Sequence, residues 1–396
     1  MSRVFLGAFG HPGHAFPMLA LGTALVARGH GVTFETWSGW REHVEAAGMR
    51  FVAAPEYPTV PTREQPEIKP YQAVLFATGH TREAVRAAAP DVVVHDILTL
   101  APAMSGELEG VPVATLIPHL YPVGGPGFPP YAFGARLPRT ALGRRVWGGF
   151  EPLLQAGLRR GRDELNATRE RLGLRPVSRL HGGLSTRLCL VATFPQLEYP
   201  RSWPSEVRVV GPLVWEPPYP PVQAPPGDAP LVLVAPSTAQ DPDQVLLRAA
   251  VAGLAHEPVR VLATWNRRLP PEPVAPGPNT RVVEWISYGQ TMPGCALVIG
   301  HAGHGTMARA LASGCPVLAI PHSGDMAENA ARADWAGVGA RLPWRLVSPL
   351  GVRLAVRRVL GDAAIRARVG ELAAWAAQHD GASRAAELVE ELAAAG

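Results

Sequence analysis

The sequence predicts an α/β protein made of two doubly wound, parallel-sheet halves. Three observations carry this. Apolar runs of strand length alternate with stretches of helical periodicity along nearly the whole chain. Where the connections are short, strand–helix–strand is a right-handed parallel unit. The alternation stops once, at the proline-dense stretch WEPPYPPVQAPPGDAP (215–230), and then begins again.

Taken in order, residues 4–9 form a buried strand and 10–13 a loop. Met18, Leu21 and Leu25 mark a helix over 17–28, which Gly29 is placed to end. Residues 32–36 are the next strand; 91–96 and 111–117 are strands around a helix at 100–109. Residues 136–172 read as a long, mostly helical, arginine-rich segment, and 188–192 and 207–210 as the last strands of this half. After the proline stretch, strands are expected at 231–235, 259–264, 281–284, 297–300 and 317–320. Helices are expected at 243–254, 306–313, 326–336, 353–361, 363–379 and 385–395. The expected organisation is therefore a first domain (1–214), a stiff linker (215–230) and a second domain (231–380). A last helix (381–396) would pack back toward the first domain. In such folds ligands sit at the carboxyl ends of strands, here in the cleft between halves.

Composition narrows the function classes. The 396 residues are 47% apolar and 18% charged, which excludes a disordered chain. Net charge is +4, and Lys69 is the single lysine, so nearly all basic charge is arginine. Arg136, Arg139, Arg144, Arg145, Arg159, Arg160 and Arg162 are dense enough to suggest either a solvated helix face or an anionic-surface contact. No basic run alternates with aromatics, which argues against nucleic acid as a partner. Cys189, Cys295 and Cys315 form no CxxC pair, as in reduced cytoplasmic proteins. Neither a signal peptide nor a membrane-spanning run is evident, so a soluble cytoplasmic protein is expected, as a monomer or homodimer.

The chemistry-bearing residues cluster at strand ends. In the second half, the strand ending at Gly300 is followed by His301, Ala302, Gly303, His304, Gly305 and Thr306, which open a helix. Glycines let backbone N–H groups approach a ligand, the helix dipole favours anions, and two histidines add donors. Ser237-Thr238 ends another strand, which strengthens the reading as a diphosphate site over a plain tight turn. His301 and His304 have no acidic or cysteine partner nearby, so no metal is expected there. Asp241-Pro242-Asp243 has the letters of a metal-binding Asp-x-Asp but reads as a capped helix start. In the first half, His14 follows the first strand and Asp96 ends a later one. An imidazole has the pKa of a general base near neutral pH, and a carboxylate behind it fixes its tautomer. His11 is a rival base.

Trp285, the HAGHGT segment (301–306) and GDMAENA (324–330) resemble the donor signature of nucleotide-sugar glycosyltransferases of family 1, in its bacterial natural-product branch. The opening FGHPGHAFPMLALGTALVARGHGVTFET and PDVVVHD extend the resemblance over nearly the whole chain. It implies the GT-B fold, two Rossmann-like domains facing each other across a cleft. The implied reaction is inverting, metal-independent transfer of a sugar from a TDP- or UDP-sugar to a hydroxyl, or a carbon, of a small apolar acceptor. The nucleotide sugar would be a co-substrate, with no cofactor. By resemblance, Trp285 stacks on the base and the Ile286 backbone reads its edge. His301, Gly303, His304, Gly305 and Thr306 hold the diphosphate with Ser237 and Thr238, while Asp325 and Asn329 belong to the sugar contact. His14 is then the base and Asp96 its orienting carboxylate. Arg309 stands where many members carry a ribose-binding Glu, and Met326 where they carry Gln. Phe16, His119, Tyr121, Phe128 and Tyr131 are the candidate acceptor residues, with 121–131 as a loop at the acceptor rim. Two other readings follow: a lipid glycosyltransferase at the membrane face, from the arginine cluster, or a non-catalytic nucleotide-sugar-binding helper, from Arg309 and Met326.

Overall fold

Runs such as Leu-Val-Leu-Val-Ala, apolar at every position, suit strands covered on both faces, as parallel strands between helical layers are. The structure, a computed structural model, describes residues 1–56, 70–237, 241, 243–267, 269–270, 272–322 and 324–395. Its first sheet contains β1 (Arg3–Gly7), β2 (Gly31–Thr36), β3 (Arg50–Ala53), β4 (Val92–Asp96), β5 (Val113–Ile117), β6 (Leu188–Val191) and β7 (Val207–Val209). All are parallel, in the order β3-β2-β1-β4-β5-β6-β7. Around them lie α1 (Pro12–Ala27), α2 (Arg41–Ala46), α3 (Pro70–Ala88), α4 (Leu100–Leu108), α5 (Ala141–Gly148) and α6 (Glu151–Arg171).

The second sheet holds β8 (Leu231–Ala235), β9 (Arg260–Thr264), β10 (Thr280–Val283), β11 (Leu297–Gly300), β12 (Val317–Ala319) and β13 (Gly339–Arg341). It too is all parallel, ordered β10-β9-β8-β11-β12-β13. Its helices are α7 (Val245–Leu254), α8 (Tyr288–Thr291), α9 (His304–Ala312), α10 (Asp325–Ala336), α11 (Pro349–Gly361), α12 (Ala363–Gln378) and α13 (Gly381–Ala394).

Several elements depart from the sequence reading. The first helix begins at Pro12, which takes the first helical position where a missing N–H costs nothing, and Pro17 lies inside it. His14 thus sits in the first turn of α1 and not in a loop. Strands β3 and β13 were not expected: each is short, and half-exposed β3 lacks a continuous apolar signature. Asp241 does cap a helix, its two carboxylate oxygens accepting from the Val245 and Leu246 amides at 2.9 and 3.0 Å.

Three sets of contacts fasten the halves together. Helix α13 buries Ala385, Ala386, Leu388, Val389 and Leu392 in the same core as Met18, Leu21 and Leu25 of α1. Its Glu390 accepts from Arg28 Nε at 2.5 Å and lies 2.6 Å from His30 Nε2, and the Arg28 hydrogen bond is the first cause of a carboxyl pKa held down at about 2. Arg332 of α10 donates to Glu198 (3.1 Å) and to the Leu197 carbonyl (3.2 Å), both in the first half, and to Glu328 (2.7 Å). All three of these charged side chains are 3% exposed, so the triad is a buried charge cluster across the domain junction, with Glu328 Oε2 left without a partner. Arg136 pairs with Asp334, and Arg341 donates to the Gly134 carbonyl.

Candidate active site

Each sheet has a point where the chain leaves neighbouring strands in opposite directions, and a crevice opens there at the carboxyl ends. In the first sheet this point lies between β1 and β4. Asp96 is the last residue of β4, and His14 lies in the helix that follows β1. Topology alone therefore brings these two residues, 82 positions apart, together: His14 Nδ1 is 2.7 Å from Asp96 Oδ1. The second Asp96 oxygen accepts from the Leu98 amide (3.1 Å) and the Thr99 hydroxyl (3.2 Å), which holds the turn into α4. The Asp96 side chain is 0% exposed and that of His14 18%. With Nδ1–H donated to a carboxylate, the imidazole presents the Nε2 lone pair. Burial alone would lower the His14 pKa, but the charge and hydrogen bond of Asp96, joined by the field of Asp325, raise it above 6.5. His11, by contrast, is lowered by burial and by the nearby His14.

The corresponding point of the second sheet lies between β8 and β11. Ser237 follows β8 and is buried; Thr238 lies outside the described residues. After β11 the chain turns through Ala302, whose φ of 66° is left-handed and strained for a residue with a Cβ. Asn329 holds that turn, donating from Nδ2 to the Ala302 carbonyl at 2.9 Å. Gly303 follows, and its missing Cβ leaves room for the His301 ring, whose Nε2 a Cβ there would approach to 2.5 Å. Helix α9 then starts, with the unpaired amides of its first turn aimed out of its N-terminus. Burial lowers the His301 pKa, and its Nδ1 is buried without a partner. His304 is placed differently from expectation. Its Nε2 lies 3.2 Å from the Ala192 carbonyl, just past β6 of the other half, so this donor bridges the domains. Burial, then the neighbouring His119, pushes its pKa down to about 4.

These two crevices share one cavity of about 180 Å³. Pro12, Gly13, Phe16 and Pro17 of α1 form one wall. Trp285, His301, Gly303, His304, Gly305 and Thr306 form the other, with Arg309 and Tyr288 beside them. The Trp285 and Tyr288 rings lie 6.5 Å apart, 17° from parallel, and the Arg267 guanidinium lies 4.7 Å over Trp285. Ile286 is buried behind this wall. Asp325 opens α10 behind Gly324, whose φ of 65° favours glycine. A larger cavity, about 540 Å³, lies at the far ends of β5 and β6; there Arg169 is already spent on Glu107.

The expected acceptor residues divide into two sets. Phe16 lines the shared cavity and meets Trp40 and Trp215 edge-on at 5.1 and 5.0 Å. His119 is half-buried near His14, Asp96 and Asp325, and the Tyr131 hydroxyl lies 3.2 Å from its Nδ1. Tyr121 and Phe128 instead flank the Arg201 guanidinium, at 5.1 and 4.9 Å, and Tyr121 is buried beside Trp203. They build the base of the 121–131 loop and do not line the cavity. Sequence reading also missed Glu216, Asn266 and Tyr288, all on the cavity wall. Glu216 sits inside the proline stretch, whose composition signals only a linker. Asn266 and Tyr288 (joined by a 3.1 Å hydrogen bond from the tyrosine hydroxyl) carry no local motif. Among the described residues no group of three or more His, Cys, Asp or Glu is placed to hold a metal ion, and no helix is long and apolar enough to cross a membrane.

Two Rossmann-like parallel sheets with their carboxyl ends facing across a shared cavity are the GT-B fold. The solved glycosyltransferase of kitacinnamycin has the same architecture, with a TM-score of 0.78, 20% identity and 99% of each chain covered. Residues 247–394 match the family described as erythromycin biosynthesis protein CIII-like, C-terminal domain. Among curated proteins, 4'-demethylrebeccamycin synthase of Lentzea aerocolonigenes is 29% identical, with 99% of both chains covered. O-mycaminosyltylonolide 6-deoxyallosyltransferase of Streptomyces fradiae is also 29% identical, covering 98% of this chain and 97% of its own. Over nearly its whole length the chain is thus similar to glycosyltransferases of natural-product pathways, and its second half to the C-terminal domain of one such family.

Proposed function

We propose that this enzyme is an inverting, metal-independent transferase. It moves a sugar from a TDP- or UDP-linked donor to a hydroxyl, or to a nucleophilic carbon, of a small apolar acceptor. The observation that carries the reading is the shared cavity, with the helix that bears His14 on one wall and the α9 amides on the other. The acceptor hydroxyl gives its proton to His14 Nε2 as its oxygen bonds to the anomeric carbon. The bond from that carbon to the β-phosphate oxygen breaks, and the nucleoside diphosphate leaves with one more negative charge. Attack from one wall and departure toward the other is in line, which inverts the anomeric centre. Asp96 orients His14 and stabilises the imidazolium. The α9 amides and His301 meet the charge that builds on the leaving group. Trp285 offers a face to the base, Asp325 an acceptor to sugar hydroxyls, and Phe16, His119 and Tyr131 an acceptor side. Asn329 acts through Ala302 by holding the cradle's turn. The relatives' names, a rebeccamycin-type synthase and a transferase named for a tylonolide, support a natural-product acceptor. The test is His14→Ala, assayed by nucleoside diphosphate release with donor and acceptor present. Turnover is expected to fall by about 10²–10⁴-fold, the usual contribution of a general base. An unchanged rate would remove His14 from the reaction.

A further inference from the structure

Arg309 is a partly buried guanidinium on the cavity wall, and the proposed reaction gives it no work. Among the described residues no carboxylate lies within ion-pair distance of it. The nearest charge is Glu216, felt only through space. Glu216 is already committed: Oε1 accepts from the Ser287 hydroxyl (2.7 Å) and the Gly289 amide (2.9 Å), and Oε2 from the Tyr288 amide (3.0 Å). Gly289 packs between the two, since a Cβ there would stand 2.7 Å from Glu216 Oε1 and 3.1 Å from Arg309 Nη1. The carboxylate is thus hydrogen-bonded to neutral donors and makes no ion pair with Arg309, whose side chain lines the cavity.

Helix geometry says where it reaches. Side chains on a helix tilt toward its N-terminus and lie over the residue four positions earlier. For Arg309 that residue is Gly305, which has no side chain, and the space a Cβ would occupy there is open. A lane therefore runs from Arg309 along the exposed face of α9 to the free amides at 303–306. Unlike a carboxylate, a guanidinium can only donate, and an anion is its best partner.

We infer that Arg309 is a phosphate ligand, binding the diphosphate of the nucleotide-sugar donor alongside the α9 amides and holding the charge that builds on the leaving group. This rests on the donor-site reading above and adds to it a cationic partner. An arginine here selects the pyrophosphate; a residue serving the nucleoside would act on ribose or base.

Calorimetric titration with TDP, UDP, the matching monophosphates and the free nucleosides separates these roles. Arg309→Ala should weaken diphosphate binding by about 10–100-fold, the scale of a lost charge-assisted hydrogen bond. Monophosphate binding should weaken less, and nucleoside binding should stay within about twofold of wild type. Arg309→Lys should recover part of the loss by restoring the charge without the planar fork. Equal losses for nucleoside, monophosphate and diphosphate, or an unchanged diphosphate affinity, would overturn the inference. A wild-type enzyme that binds neither diphosphate would overturn the donor site itself, and the inference with it.

Discussion

His14 and His304 occupy matching places in the two halves. Each lies in the first turn of the helix that follows a strand at the sheet's switch point. Their chemistry is opposite. His14 meets the Asp96 carboxylate, and its pKa is raised. His304 meets a backbone carbonyl of the other half, and burial pushes its pKa down to about 4. Topology sets where a histidine stands, and the neighbour decides which way its pKa moves.

The largest test of that contrast is Asp96→Asn. Without the carboxylate, burial dominates at His14 and its pKa falls. The acid limb of kcat/KM should move to lower pH, while the rate at the plateau drops by about 10²-fold because the imidazolium loses its partner. An acid limb that stays in place would break the contrast. The raised pKa also makes stability depend on pH. The His14–Asp96 pair stabilises the fold fully below pH 6.5 and loses that contribution as pH rises through the folded value. A reaction that uses neutral His14 as its base, as proposed above, therefore speeds up as this stabilisation fades.

A smaller effect is expected from His304→Ala. It removes the donor from the Ala192 carbonyl and should cost about 1–3 kcal/mol in denaturant unfolding. The acid limb should not move. A shifted acid limb would mean that the two histidines share the titration and are not distinct in role.

Much of this was legible in the sequence, for physical reasons. Buried parallel strands announce themselves as unbroken apolar runs, as at Leu231–Ala235. His14 and Asp96 could be paired on paper because both stand at strand ends of one sheet. Short edge strands such as Arg50–Ala53 could not be seen, since an edge tolerates exposed residues. The start of α1 was misplaced because two prolines compete for its first turn, and only packing chooses Pro12. Arg332 meets Glu328 one helical turn away, but its other partner, Glu198, lies 134 residues off with no local pattern to announce it. Glu216 was hidden by its proline neighbours, so the open side of Arg309 was hidden too. Tyr121 and Phe128 show the limit of reading aromatics in a loop: they pack on Arg201.

The central claim is that an imidazole on one lobe looks directly at an anion cradle on the other. Nitrogen-15 NMR titration of His14, with and without saturating TDP or UDP, tests it without any acceptor. If the two walls face each other, a bound diphosphate adds negative charge near the ring and the His14 pKa rises. A bound diphosphate that leaves the His14 titration where it was would contradict the account.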